Sequence, residues 1–301
     1  MSRHLSLSIL LCATWAAAAA APRAHAQTLD VFWSPEQPVV GTLFVVRVGW
    51  SEPAGGPTSL RGRFADEPLH FHEREGGGRW AIAAMPIDAP LEGEGSLELE
   101  LNVRWPDGRA ETLRQPVALE PGRYLVERLT VAPQFGSPLS PELQRRTEEE
   151  SARALRVARG AHESPPLWTT SGFTRPRSSR ITSGFGNGRE FNGQVQSRHM
   201  GTDFNGNVGD PVLAAADGVV KIVDQFYLGG NVIYLDHGGG LSTAYLHLSE
   251  ALVQPGDTVR AGQRIGSVGA TGRVTGPHLH WIVRYGGVTV DPLSVVELPT
   301  P

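Results

Sequence analysis

From Ile181 to the C-terminus the chain runs as short β-branched or apolar segments punctuated by glycines, which leaves no room for a helix-and-sheet layer. Val212 to Val223, Asn231 to Asp236 and Leu241 to His247 read as three successive strands. Val259, the run from Gly262 to Val268, and Leu279 to Tyr285 continue the pattern. Residues 181–301 are therefore expected to form an all-β domain.

The preceding segment is also β-like. Thr42 to Trp50 is rich in β-branched and aromatic residues, and Leu97 to Trp105 alternates apolar and polar positions as a half-buried strand should. Pro106-Asp107-Gly108 supplies turn chemistry between this strand and the next. Short strands with turns between them, over residues 27–130, predict an immunoglobulin-like β-sandwich. Between the two β regions, residues 140–160 read as a helix. Ser140 can cap it, Pro141 suits its first position and Gly160 can close it. Its apolar stripe (Leu143, Ala154, Leu155, Ala158) is thin, which predicts a surface helix within a helical and extended linker over residues 131–180. The expected fold class is thus all-β with a short helical linker.

The first 26 residues form a separate unit. Arg3 and His4 precede an apolar run from Leu5 to Ala21, and Ala24-His25-Ala26 offers a small-x-small cleavage site. This is the layout of a secretory signal peptide, so a periplasmic or extracellular protein is expected, with no stable membrane insertion after cleavage. The single cysteine, Cys12, lies inside that run, and Leu11 before it disfavours a lipidation site. The mature chain would then hold neither a disulfide nor a thiolate metal site, so imidazole and carboxylate are its available metal donors. Without residues 1–26, 25 basic residues face 31 acidic ones, a net charge of −6. Such a balance offers no global attraction to nucleic acid or an anionic membrane.

Five residues in the last third are candidates for chemistry: His199 and Asp203 in Arg-His-Met-Gly-Thr-Asp, His247 in Ala-Tyr-Leu-His-Leu, and His278 and His280 in Gly-Pro-His-Leu-His-Trp. A catalytic zinc site takes three protein ligands and leaves a position for water, and spare imidazoles can move a proton nearby. Alternation on a strand puts His278 and His280 on one face and sends Leu279 and Trp281 into a core. Spacing alone does not establish a site, because His70 and His72 share it without a neighbouring ligand partner and read as the solvent face of a strand. His237 reads as a turn residue and His162 as a linker residue.

The motifs Arg198-His-Met-Gly-Thr-Asp203, Ala214-Ala-Ala-Asp-Gly-Val-Val220, Thr243-Ala-Tyr-Leu-His-Leu248, Gly269-Ala-Thr-Gly272 and Gly276-Pro-His-Leu-His-Trp281 together resemble the lysostaphin-type (LytM-like) zinc metallopeptidases from about Ile181 to Pro292. The resemblance implies Zn2+ as cofactor, with His199, Asp203 and His280 as its ligands. It implies that His247 and His278 are catalytic, orienting and polarising the attacking water. It further implies a secreted endopeptidase whose partners are peptidoglycan stem peptides. The glycines at 229–230, 238–240 and 269–276 would flank a groove for an extended peptide, although turn chemistry accounts for most of them.

Two other classes compete. Val253 to Gly266 resembles the hairpin of lipoyl and biotinyl carrier domains, but the one lysine, Lys221, sits within an apolar strand instead of at a hairpin tip. A non-catalytic wall-binding or amidase-activating regulator could keep the same fold. The sequence leaves open the crosslink cleaved, D-Ala to diaminopimelate or a glycine bridge, and the oligomeric state.

Overall fold

The computed structural model describes residues 29–50, 55–90, 95–136, 138–193 and 195–298. The expected signal peptide and Cys12 lie outside them. No helix among the described residues is long and apolar enough to cross a membrane.

The N-terminal region holds β1 (Leu29–Ser34), β2 (Leu43–Trp50), β3 (Ser59–Phe64), β4 (Glu67–Leu69), β5 (His72–Glu73), β6 (Arg79–Ala84), β7 (Ser96–Arg104) and β8 (Ala110–Ala118). They form two four-stranded sheets, ordered β1-β2-β6-β5 and β4-β3-β7-β8. Phe44, Val46, Ala81 and Ala83 from the first sheet and Phe64, Leu99, Leu101 and Val103 from the second share one core. The opposite face of β2 and β6 is buried too, because Leu43, Val45, Trp80, Ile82 and Ala84 join the core of the C-terminal region. A strand covered on both faces needs no polar alternation, which is why Leu43-Phe-Val-Val reads as a continuous apolar run.

After β9 (Val126–Leu129) and a single helical turn α1 (Pro133–Gly136) comes α2 (Pro141–Gly160). The Ser140 side chain accepts from Leu143 N, as a cap must to satisfy a free amide at a helix start. The helix lies on the surface, exposed over most of its length as its thin stripe predicts, and that stripe is where it docks. Ala154 and Val157 pack with Ile222, Phe226, Val232, Tyr234, Ala244 and Leu246 on the outer face of the C-terminal sheet. Small side chains suffice there because they let the helix approach the sheet closely.

The C-terminal region comprises β10 (Ile181–Ser183), β11 (Gly188–Phe191), β12 (Val195–Arg198), β13 (Thr202–Asn205), β14 (Pro211–Leu213), β15 (Gly218–Phe226), β16 (Gly230–Gly238), β17 (Leu241–Ala251), β18 (Thr258–Val259), β19 (Arg264–Val268), β20 (His278–Tyr285), β21 (Val288–Val290) and α3 (Pro292–Val296). The main path of its large sheet is β10-β13-β20-β17-β16-β15-β18. The predicted strand from Val212 to Val223 is two strands, β14 and β15, separated by the bend at Ala214 to Asp217. Lys221 lies within β15, 3.4 Å from Asp236 Oδ2, away from any hairpin tip.

Four histidines read as bland from the sequence have defined places. His70 and His72 do not face solvent. The His72 ring packs on Trp80 and Trp168, and His70 Nε2 meets His162 Nδ1 at 2.8 Å. His162 in turn contacts Glu67 Oε2 at 2.8 Å, so the linker is stitched to the N-terminal sheets. His237 is wholly buried and bridges Asp217 O and Thr243 Oγ1. Gly239 and Gly240 lie against the linker as well, donating to Ser164 O and Ala161 O, and do not border a groove.

Candidate active site

The central sheet brings the five candidates together. Antiparallel pairing of β13 with β20 sets Asp203 opposite His280 and Asn205 opposite His278. Alternation sends Phe204, Leu279 and Trp281 into the core behind them. His199 precedes β13 and is tied by main-chain bonds from His199 N to Asn187 O and from Gly186 N to His199 O. Gly201 makes the approach possible: a Cβ at that position would lie 2.6 Å from His280 Cε1 and 2.6 Å from Trp281 O.

His247 departs from simple strand geometry. It has φ +64°, in the left-handed region that disfavours residues bearing a Cβ. The β16–β17 register shifts between Asn231 and Ile233, so β17 carries an extra residue there. A bulge of this kind re-aims a side chain. It turns His247 toward β20, where its ring centroid lies 4.9 Å from that of His278 and 5.8 Å from that of His280.

Three acceptor atoms converge at the centre. His199 Nε2 lies 3.0 Å from Asp203 Oδ1 and 2.9 Å from His280 Nδ1, and the last two are 2.7 Å apart. All three residues are buried. Two of them are held from behind: His199 Nδ1 by Gly184 O at 2.7 Å, and Asp203 Oδ2 by the Arg189 guanidinium at 2.6 Å. Because a carbonyl only accepts, His199 carries a proton on Nδ1 and turns Nε2 toward Asp203 and His280. The same logic fixes His247, whose Nδ1 donates to Thr271 O, and His278, whose Nδ1 donates to Gly276 O, both at 2.8 Å. Nε2 is thus the acceptor nitrogen of each ring when neutral, that of His278 lying 3.7 Å from Asp203 Oδ1.

The electrostatics favour a cation. Burial raises the Asp203 carboxyl, but hydrogen bonds and charge from His199 and His280 outweigh it and hold the group well below the usual carboxylate range. Burial holds His280 down at about 4 against the pull of Asp203. Burial, with His278 and His280 beside it, likewise keeps His247 well below the ordinary imidazole value. A buried, ionised carboxylate beside two buried imidazole nitrogens is a donor set suited to a positive ion. Two imidazole nitrogens and one carboxylate oxygen match the three-ligand, open-site pattern of catalytic zinc. Tetrahedral coordination at the usual bond lengths would separate the ligand atoms by about 3.3 Å, slightly wider than the spacing here.

Beside this centre runs a cleft of about 230 Å³, lined by Asp203, His278, Thr182, Arg189, Phe191 and Arg273 among others. One of its walls comes from far upstream. β9 pairs in parallel with β11, setting Glu127 opposite Arg189, and Leu129 and Val131 also line the cleft. Glu127 accepts from Ser183 Oγ, Asn187 Nδ2 and Arg189 Nε. Burial raises its carboxyl, yet these bonds and the Arg189 charge leave it below the ordinary value. The chain Glu127–Arg189–Asp203 thus supports the buried carboxylate, as outer partners of metal ligands do. Sequence reasoning missed Glu127, Ser183, Arg189 and Arg273. They stand in no spaced motif, and strand pairing alone brings the first of them to the site. Of the glycine clusters expected at a groove, Gly276 lines it, while Gly229 lends its carbonyl to His247 N at 2.8 Å.

The region that holds these residues is similar to known peptidases. Residues 197–292 match the model for Peptidase family M23. The chain is 43% identical over 122 residues to peptidoglycan DD-endopeptidase ShyC of Vibrio cholerae, a match covering 40% of this chain and 28% of that protein. It is 39% identical over 153 residues to DD-carboxypeptidase/endopeptidase Mpg of Neisseria meningitidis, covering 51% of this chain and 33% of that protein. The matches thus span a third or less of these relatives' lengths. A solved M23 peptidase structure from Pseudomonas aeruginosa superposes with TM-score 0.63 at 28% identity, covering 86% of this chain and 95% of that one.

Proposed function

We propose that this chain, whose residues 197–292 are a peptidase family M23 domain, is an exported zinc-dependent endopeptidase that hydrolyses peptide crosslinks of bacterial peptidoglycan. The observation that carries the reading is the convergence of His199 Nε2, Asp203 Oδ1 and His280 Nδ1 to within 3.0 Å, beside two imidazoles whose acceptor nitrogen when neutral is Nε2. Relatives named as peptidoglycan DD-endopeptidases support the substrate class. The apolar, cleavable N-terminal segment supports export to the compartment where that substrate lies.

His199, Asp203 and His280 would hold the zinc, which when bound polarises a carbonyl and lowers the pKa of water. The protein's own groups do the rest. The cleft accepts an extended peptide and places its scissile carbonyl beside His278. His247 and His278, fixed as Nδ1–H tautomers by Thr271 O and Gly276 O, present Nε2 to the attacking water. One takes the water's proton as the C–O bond forms, and the proton is then returned to the amine nitrogen as the C–N bond breaks. The imidazolium so formed can donate its Nε2–H to the developing oxyanion before it gives that proton to the amine. Arg189 balances the outer oxygen of Asp203, so the buried carboxylate stays ionised throughout.

In domain terms we assign residues 27–130 to an immunoglobulin-like sandwich, 131–180 to a linker and 181–301 to the peptidase, with β9 lending one wall of the cleft. Digestion of crosslinked muropeptides by zinc-loaded protein tests the function. Release of monomers with a new free amine is expected. Undigested dimers in the presence of stoichiometric zinc would contradict it.

A further inference from the structure

The cleft contains one cationic group without a carboxylate. Its acidic residues, Glu127 and Asp203, are both engaged by Arg189. Arg273 lines the same cleft as His278. Among the described residues its guanidinium meets no carboxylate and makes no side-chain hydrogen bond. Its contact is with the ring of Phe191, 4.1 Å from guanidinium carbon to centroid. A half-buried guanidinium held over an aromatic face keeps its N–H donors unspent. Burial, and then the nearby Arg189 charge, push it down to about 10, so it remains charged at neutral pH.

Its position is fixed by the segment that fixes the catalytic imidazoles. Thr271 supplies the carbonyl that orients His247, and Gly276 the carbonyl that orients His278. Arg273 lies between them, its amide donating to Leu228 O at 2.9 Å. Thr271 Oγ1 further anchors the segment between Asn231 N and Leu248 O. Gly272, at φ +76°, packs with its Cα against the main chain of 228–230, which leaves no space for a side chain. Arg273 is therefore registered to His247 and His278 by short, rigid connections.

We infer that Arg273 is a specificity-determining residue that binds a free carboxylate of the substrate on the amine side of the scissile bond. The inference rests on the endopeptidase reading above and selects between the crosslinks it leaves open. In a D-Ala to diaminopimelate crosslink, the carbon bearing the scissile amide nitrogen also carries a free carboxylate. A planar guanidinium fork matches that group in a bidentate, charge-assisted way. A glycine bridge has no charge at the equivalent place. With it, Arg273 would remain a partly buried cation with no counter-charge, which is costly.

The test uses two crosslinked dimers that differ only in this carboxylate, free in one and amidated in the other. Zinc-loaded wild-type protein, Arg273→Gln and Arg273→Lys are compared on both, with zinc content and unfolding midpoint recorded for each. Wild type is expected to favour the free acid by about 10- to 100-fold in kcat/KM, mostly through KM. Arg273→Gln should lose that factor on the free acid and change little on the amide, and Arg273→Lys should recover part of it. The metal-free wild type should show the same preference in Kd for the free-acid over the amidated product peptide. Equal cleavage of the two dimers by wild type, or an equal loss on both in Arg273→Gln, overturns the role of Arg273 and leaves the endopeptidase reading standing. Turnover of neither dimer overturns both.

Discussion

His247 and His278 stand with ring centroids 4.9 Å apart, each with Nδ1 hydrogen-bonded to a main-chain carbonyl 2.8 Å away. The pair is thus oriented by backbone and not by the residues assigned to the metal. Metal binding and proton transfer should separate on mutation.

The backbone at His247 sharpens that expectation. Its φ of +64° strains any residue with a Cβ, and glycine relieves the strain. His247→Gly and His247→Ala should both lose about 10²- to 10⁴-fold in turnover while keeping their metal. His247→Gly should be the more stable of the two by about 1 kcal/mol. Thermal unfolding of the two variants checks this, and an alanine variant equal to the glycine variant would contradict it.

Gly201 should tolerate no side chain. The Cβ of Gly201→Ala would press on the His280 ring and on Trp281 O, both held within the β13–β20 pair. The variant should lose about 1–3 kcal/mol of stability, as overpacked sites do, and should bind metal more weakly. Denaturant midpoints with and without zinc measure both effects. A variant with unaltered zinc affinity would show that His280 does not bind from this position.

Arg189 should tune the site without touching the metal. Its 2.6 Å contact with Asp203 Oδ2 orients the carboxylate, and Glu127 holds it there. Arg189→Met is expected to lower zinc affinity about 10- to 100-fold, the usual cost of removing an outer partner. Competition with a chelator reads this directly, and unchanged affinity would show that the contact is incidental.

Acid stability should depend on His237. Burial pushes its imidazole down to about 4, against about 6.5 in an unfolded chain. The folded value is the lower one, so the unfolded state takes up the proton first as pH falls. Stability is accordingly unaffected above about pH 6.5 and is lost progressively toward pH 4, by up to about 3 kcal/mol. His237→Asn, which keeps a donor for Asp217 O, should flatten this dependence between pH 7.5 and 5. Parallel urea midpoints for both proteins would contradict it.

The sequence marked the residues that cluster at the candidate site more readily than their scaffolding. His199, Asp203, His247, His278 and His280 were legible because each sits in a short motif, and strand alternation separated His278 and His280 from Leu279 and Trp281. The left-handed turn at His247 was not legible, since it arises from a register shift against β16. Glu127 and Arg189 meet through parallel pairing of strands some 60 positions apart, which no local pattern records. His70, His72 and His162 were misjudged for a related reason. Alternation tells which residues share a face, but not that Trp168 and the linker cover that face. The surface position of helix α2 was legible from its thin stripe, but the sheet on which its alanines dock was not, because those partners lie far along the chain.

In the proposed function one buried three-ligand centre holds zinc while the two adjoining imidazoles perform the proton transfers. This division is tested most directly by measuring bound zinc and crosslink cleavage in the same preparations of wild type, Asp203→Ala and His278→Ala. The account predicts stoichiometric zinc with cleavage in wild type, neither in Asp203→Ala, and stoichiometric zinc with cleavage reduced at least about 100-fold in His278→Ala. Wild-type rates in zinc-replete His278→Ala, or full zinc occupancy in Asp203→Ala, would contradict it.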